Sequence, residues 1–143
     1  MINDSDDSLK LENQLCFPLY VAARQITNKY TSILKPLGLT YTQYIMFMVL
    51  WEKDDITVGE IGERLHLDNG TLTPLLKKME NCGFVIRERS KEDERVVRIK
   101  LTKEGRDLKK KVASVPTQVC NCIKLTEEEK KILYKVLYKL IED

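Results

Sequence analysis

Thr57 to Gly83 reads TVGEIGERLHLDNGTLTPLLKKMENCG, and the fold turns on how this stretch divides. Thr57 and Glu60 stand at capping-box spacing, and Val58, Ile61 and Leu65 then share one face of a short helix. The turn HLDNG, His66 to Gly70, breaks that period. Leu72, Leu75, Leu76 and Met79 follow at i, i+3, i+4 and i+7, which predicts a second helix with these residues inward, ending at Gly83. Its outer face carries Asn69, Thr71, Thr73, Lys77, Lys78 and Asn81. Pro74 is placed in the first turn, where a missing N–H costs no hydrogen bond.

After Gly83 the period changes from helical to alternating. FVIRER and VVRIKL predict two antiparallel strands joined by the charged tip Ser90 to Arg95. Two short helices, a tight turn and then a basic-tipped hairpin make the order of a winged helix-turn-helix. The expected fold class is therefore mainly α with a small β-hairpin. Hydroxyl, amide and ammonium groups on the outer face of the second helix are the types that bond base edges and phosphates. Arg95 offers the tip a cation for a minor groove. The competing reading is a polar face in a plain helical bundle.

Upstream, Leu11, Leu15, Ala22, Ile26, Ile33 and Leu37 keep helical spacing, interrupted by Pro18 and closed by KPLG. This predicts a long first helix with a kink or restart near Cys16. A second, about Thr42 to Glu52, is apolar nearly all round (YIMFMVLW) and should be the buried core helix. Downstream, Thr102 caps a basic helix that ends before Pro116. A last helix follows a capping box at Thr126 and Glu129, with an apolar stripe through Leu133, Val136, Leu137, Leu140 and Ile141.

At 143 residues the chain fits one domain. It has no apolar run of the roughly 18 residues that span a bilayer, and MINDSDDS lacks the basic opening of a secretory signal, so a cytoplasmic protein without a membrane partner is expected. Cys16, Cys82, Cys120 and Cys122 should then be free thiols. Metal binding is disfavoured, because CNC is a single close pair and His66, the one histidine, lies far off in sequence. No motif asks for a cofactor. The net charge of +2 hides an asymmetry: residues 1–76 hold 6 basic and 10 acidic groups, 77–111 hold 13 and 7, and 112–143 hold 5 and 5. A basic middle third suits a nucleic-acid surface, although a solvated lysine-rich face has the same composition.

LDNGTLTPLLKKMENCGFVIRERSKEDERVVRIKLTKEG closely resembles the MarR family of bacterial transcription regulators, including DER at Asp93 to Arg95 and LTKEG at Leu101 to Gly105. LENQLCFPLYVAAR and LGLTYTQYIMFMVLWE are similar to its organic-hydroperoxide-sensing (OhrR) branch and to the related thiol-based staphylococcal global regulators. The resemblance runs from about Leu11 to Gly105 and is more diffuse beyond.

It implies one domain over 1–143, with dimerisation helices at about 9–37 and 103–143 and a DNA-binding lobe at about 42–101. The implied homodimer presents its recognition helices to a pseudo-palindromic duplex. By analogy Asn69, Thr71, Thr73, Lys77 and Lys78 contact the major groove or its phosphates, Arg87 and Arg89 contact phosphate, Arg95 enters the minor groove, and Asp93 orients it. Cys16 stands where the branch has its peroxide-sensing thiol. Tyr30 and Tyr41 match the tyrosines that stabilise that thiolate from the partner subunit, and Tyr20 lies one helical turn from Cys16. The implied function is a repressor that releases DNA when an organic hydroperoxide oxidises Cys16. Two-cysteine members of the branch carry a resolving thiol after the wing, a role open here to Cys120 or Cys122, with Cys120 preferred. A regulator relieved by a phenolic ligand is the rival within the family. A thiol peroxidase is the rival outside it, although no second acid–base constellation accompanies the thiol.

Overall fold

The structure is a computed structural model that describes residues 7–142; the ends of the expected 1–143 domain, 1–6 and 143, lie outside the described residues. The chain enters through a single 3₁₀ turn, Leu11–Asn13, and restarts as helix α1, Cys16–Leu34. Pro18 is the third residue of α1, where no helical carbonyl awaits its missing N–H. The long first helix expected from Leu9 is thus a turn and a helix, with the restart at Cys16. A second 3₁₀ turn, Lys35–Leu37, leads to α2, Tyr41–Glu52. Thr40 Oγ1 accepts from Gln43 N at 3.2 Å while Gln43 Oε1 accepts from Thr40 N at 3.1 Å, so α2 opens with a closed capping box. Tyr44, Met46, Phe47, Val49 and Leu50 are buried, as expected of the core helix.

The DNA-lobe elements follow. Strand β1 is Ile56–Thr57, α3 is Val58–Leu65 and α4 is Asn69–Asn81; β2 is Val85–Arg89 and β3 is Val97–Leu101. The sheet has three strands in the order β1-β3-β2 and not the two of the expected hairpin. β1 pairs Ile56 with Ile99 and Thr57 with Arg98, which ties the start of α3 to the inner strand of the wing. Two residues are too few to alternate, so this strand has no sequence signature. Within the wing, Val85 faces Leu101, Arg87 faces Ile99 and Arg89 faces Val97.

Two proline readings are corrected. Pro74 lies inside α4, as the sixth residue of a helix that starts at Asn69, and not in the first turn. Asp68 is the N-cap, so the helix begins before the first of its inward apolar residues, Leu72. Pro116 opens a helix and does not merely break one: α5 is Lys103–Lys111, α6 is Val115–Cys122 with Pro116 at its start, and α7 is Glu127–Ile141.

One core joins the pieces, with Leu34, Phe47, Leu50, Ile61, Leu72, Leu76, Met79, Ile99 and Val119 among its buried members. The wing meets α5 at closest range. Thr102 caps α5, donates its hydroxyl to Gly83 O at 2.6 Å, and donates its backbone N–H to Phe84 O at 3.0 Å. Gly83 makes this turn possible with φ +80°, and a Cβ on Gly105 would sit 2.2 Å from Phe84 O. Trp51 Nε1 donates to Gly105 O at 3.0 Å, linking the core helix to the same joint.

Candidate DNA-reading face and thiol site

Asp68 fixes the start of α4. Its carboxylate accepts the Thr71 N–H at 2.7 Å, and that bond above all holds the carboxyl below its usual range. Burial of Leu72, Leu76 and Met79 turns Asn69, Thr71, Lys77 and Lys78 outward. Thr73 is half-buried, and its hydroxyl donates back to Asn69 O at 2.7 Å. Thirteen residues make α4 about 20 Å long, a rod that enters a major groove about 12 Å wide.

A cleft of about 330 Å³ separates α4 from the wing, and Asn69, Thr73, Arg87 and Arg95 line it. Asp93 grips Arg95 with both oxygens, Nε to Oδ1 at 3.1 Å and Nη2 to Oδ2 at 3.2 Å, and also takes the Arg95 backbone N–H at 3.0 Å. These bonds, the side-chain one first, keep the Asp93 carboxyl below its usual range. Arg89 donates to Glu94 O at 2.9 Å, bracing the tip. Arg87 differs from the sequence picture of a free cation. Its backbone N–H bonds Glu80 Oε2 at 2.9 Å, its Nη1 lies 3.9 Å from Glu80 Oε1, and its buried Nε has no partner.

The thiol side lies in the helices flanking the lobe. All four cysteines are free and exposed. Cys16 is the first residue of α1, where unpaired N–H groups and the positive helix end gather. Tyr20 is exposed and makes its ring contact with Arg24, whose guanidinium sits 5.4 Å from the ring centroid. Tyr30 and Tyr41 come together, ring centroids 4.7 Å apart, with Tyr44 at 5.8 Å from Tyr30 and 6.4 Å from Tyr41. Burial pushes all three hydroxyls above the ordinary 10.0, and Cys120 adds to this at Tyr30.

Helical rise decides which thiol these tyrosines can meet. Cys16 and Tyr30 share α1 fourteen positions apart, about 21 Å at 1.5 Å per residue, so neither reaches the other within one chain. Cys120 lies in the last turn of α6, which packs against α1 of the same chain, and it is the cysteine whose charge bears on the Tyr30 hydroxyl. Its sulfur takes a further contact from Lys130 of α7, whose Nζ lies 3.1 Å away. Sequence reasoning missed Tyr44 and Lys130. Tyr44 had a signal, its i+3 spacing from Tyr41 on one helix face. Lys130 had none, because the path of the 123–126 connection sets its position.

An N-capped recognition helix beside a wing with a braced arginine defines a winged helix-turn-helix DNA-reading protein. Residues 28–112 match the family described as transcriptional regulator SarA/Rot. The chain is 47% identical to the organic hydroperoxide resistance transcriptional regulator of Bacillus subtilis, over 95% of this chain and 92% of that one. Among solved structures it is similar to reduced AbfR of Staphylococcus epidermidis bound to DNA, at 34% identity and TM-score 0.79 over 96% of each chain. It is also similar to disulfide-formed AbfR, at 35% identity and TM-score 0.66 over 99% of each. The chain belongs to the MarR family of winged-helix transcriptional regulators, on the branch that holds the organic-hydroperoxide regulators.

Among the described residues, no single helix is long and apolar enough to cross a membrane.

Proposed function

We propose that the protein is a cytoplasmic homodimeric transcription regulator that holds a pseudo-palindromic operator when reduced and releases it when an organic hydroperoxide oxidises Cys16. The observation that carries this reading is the position of Tyr30, on the helix that packs against the Cys120-bearing α6 and about 21 Å along α1 from its own Cys16. A tyrosine so placed serves a sensor thiol only across a dimer. A disulfide needs Cα atoms within about 7 Å, so Cys16 pairs with Cys120 of the partner subunit and not with its own.

Surface area supports the dimer. A compact monomer of 16.7 kDa exposes about 7,600 Å², whereas this chain exposes 10870 Å². The excess includes the apolar face of α7 and Leu11, Leu15, Phe17 and Leu19 at the entry to α1. These segments, about 9–37 and 103–143, are the dimerisation helices of this reading, and 42–101 is the DNA lobe. Asn69, Thr71, Thr73, Lys77 and Lys78 meet the major groove, Arg87 and Arg89 the backbone, and Arg95, aimed by Asp93, the minor groove. Glu80 approaches Arg87 at Nη1 alone, at 3.9 Å, so the rest of the guanidinium fork is left for a phosphate.

The redox steps balance without a cofactor. The Cys16 thiolate attacks the hydroperoxide; an S–O bond forms, the O–O bond breaks and an alcohol leaves. The Cys120 sulfur then attacks the sulfenic sulfur; the S–S bond forms, the S–O bond breaks and water leaves with the Cys120 proton. The oxidised thiol is the signal, so the reading assigns no catalytic turnover.

The test is a gel shift on DNA flanking the protein's own gene, with organic hydroperoxide and then dithiothreitol. Wild type should bind, release on oxidation and rebind on reduction, while Cys16→Ser should bind and never release. Release by Cys16→Ser would place the switch elsewhere.

A further inference from the structure

The end of α6 and the first turn of α7 bring a thiol and an ammonium together. Lys130 Nζ lies 3.1 Å from Cys120 Sγ and also donates to Glu127 Oε1 at 3.0 Å. The two sides of this bridge are unequal: the Glu127 side chain is 84% exposed and that of Lys130 only 27%. Glu127 therefore stands in solvent and braces an ammonium that is folded back onto the sulfur. The Lys130 contact is made by Cys120 and not by Cys122, so the two cysteines of CNC have different surroundings.

We propose that Lys130 is a positioning residue for disulfide formation, holding the Cys120 sulfur and pairing with the negative charge that sulfur carries as it attacks oxidised Cys16 of the partner subunit. This rests on the disulfide reading above. A thiolate and not a thiol is the attacking species, and a full positive charge at contact distance favours it. The titratable groups facing Cys120 are Tyr30 from α1 and Lys130 from α7, with Glu127 behind Lys130. Glu127 first, and Cys120 second, raise the Lys130 ammonium above its ordinary value, so it stays charged throughout. Tyr30 stays neutral and adds no competing charge. In the step itself Cys120 loses its proton, its sulfur forms the S–S bond as the S–O bond of the Cys16 sulfenic acid breaks, and the departing hydroxide takes up a proton as water. Lys130 is neither consumed nor oxidised. Once the disulfide exists the sulfur carries no charge, and the ammonium keeps Glu127 alone.

The experiment follows two events separately in the full-length dimer after a pulse of cumene hydroperoxide. Dimedone labelling reads the sulfenic acid at Cys16, and non-reducing gels read the covalent dimer. Lys130→Met and Lys130→Gln should slow covalent dimer formation roughly tenfold at pH 7 and lengthen the life of the dimedone-reactive species, with the deficit shrinking toward pH 9 as hydroxide alone supplies the thiolate. Lys130→Arg should restore much of the rate. Sulfenic acid should appear at the wild-type rate, and reduced protein should keep its DNA affinity. Wild-type rates of disulfide formation in both neutral variants, or a deficit equal at pH 7 and pH 9, would overturn the proposal. Cys120→Ser separates the two levels: if it still forms the covalent dimer, the disulfide reading itself falls, and Lys130 with it.

Discussion

Arg95 has a side chain 91% exposed, yet Asp93 holds it in one orientation through two side-chain bonds. An arginine fixed before it meets a groove loses less rotamer entropy on binding. Arg95→Ala should therefore weaken operator binding by about 1–3 kcal/mol and leave the dimer unchanged, as read by a footprinting titration beside sedimentation. The pair was legible because it is local, two residues apart in a charged tip. The contact of Cys120 with Lys130 was not, since the two are ten positions apart with a helix end and a connection between them. The tyrosines give a pH prediction of definite sign. Tyr30, Tyr41 and Tyr44 have folded values above the ordinary 10.0, with burial the first cause. Folding thus binds their protons more tightly than the unfolded chain does. That stability is full below about pH 10 and lost as pH rises through the folded values, so urea midpoints should fall on the alkaline side.

The joint between wing and α5 shows why some element boundaries were readable. Thr102 is a helix cap at the right distance from Gly105, and the structure uses both as local chemistry demands. What spacing could not reveal is the approach of Phe84 O, which leaves no room for a Cβ at Gly105. Gly105→Ala should destabilise the fold by about 1–3 kcal/mol, measured by urea unfolding, because backbone and not a flexible side chain stands in the way. The prolines mark the opposite limit. Pro74 survives inside α4 and Pro116 starts α6, where sequence rules allowed a first turn in one case and a broken pattern in the other. Tertiary packing of Leu72, Leu76 and Met79, and of Val115 and Val119, outweighs one lost backbone hydrogen bond. The strand Ile56–Thr57 was hidden for another reason, since its partner β3 is about forty residues away and two residues carry no period of their own.

For the whole molecule the deciding quantity is uncovered apolar surface. α7 is amphipathic by sequence, yet its own chain buries no residue of its stripe and leaves Leu133, Val136, Leu140 and Ile141 exposed. Leu133→Asp combined with Leu140→Asp should abolish the dimer in sedimentation and weaken DNA binding far more than Arg95→Ala does. A dimer of unchanged mass would remove α7 from the interface. The winged lobe was readable from periodicity because most of its partners lie within a few turns of sequence. The thiol site was only half readable, because the course of the 123–126 connection decides that Lys130 meets Cys120. One consequence concerns light. Trp51 is the chain's single tryptophan, half-buried, stacked on Phe47 at 5.5 Å and bonded through its indole N–H to Gly105 O at the joint of core, wing and α5. The protein's tryptophan emission therefore comes from one place in each chain, the joint of core, wing and α5, so an unlabelled sample reports the surroundings of that joint by colour.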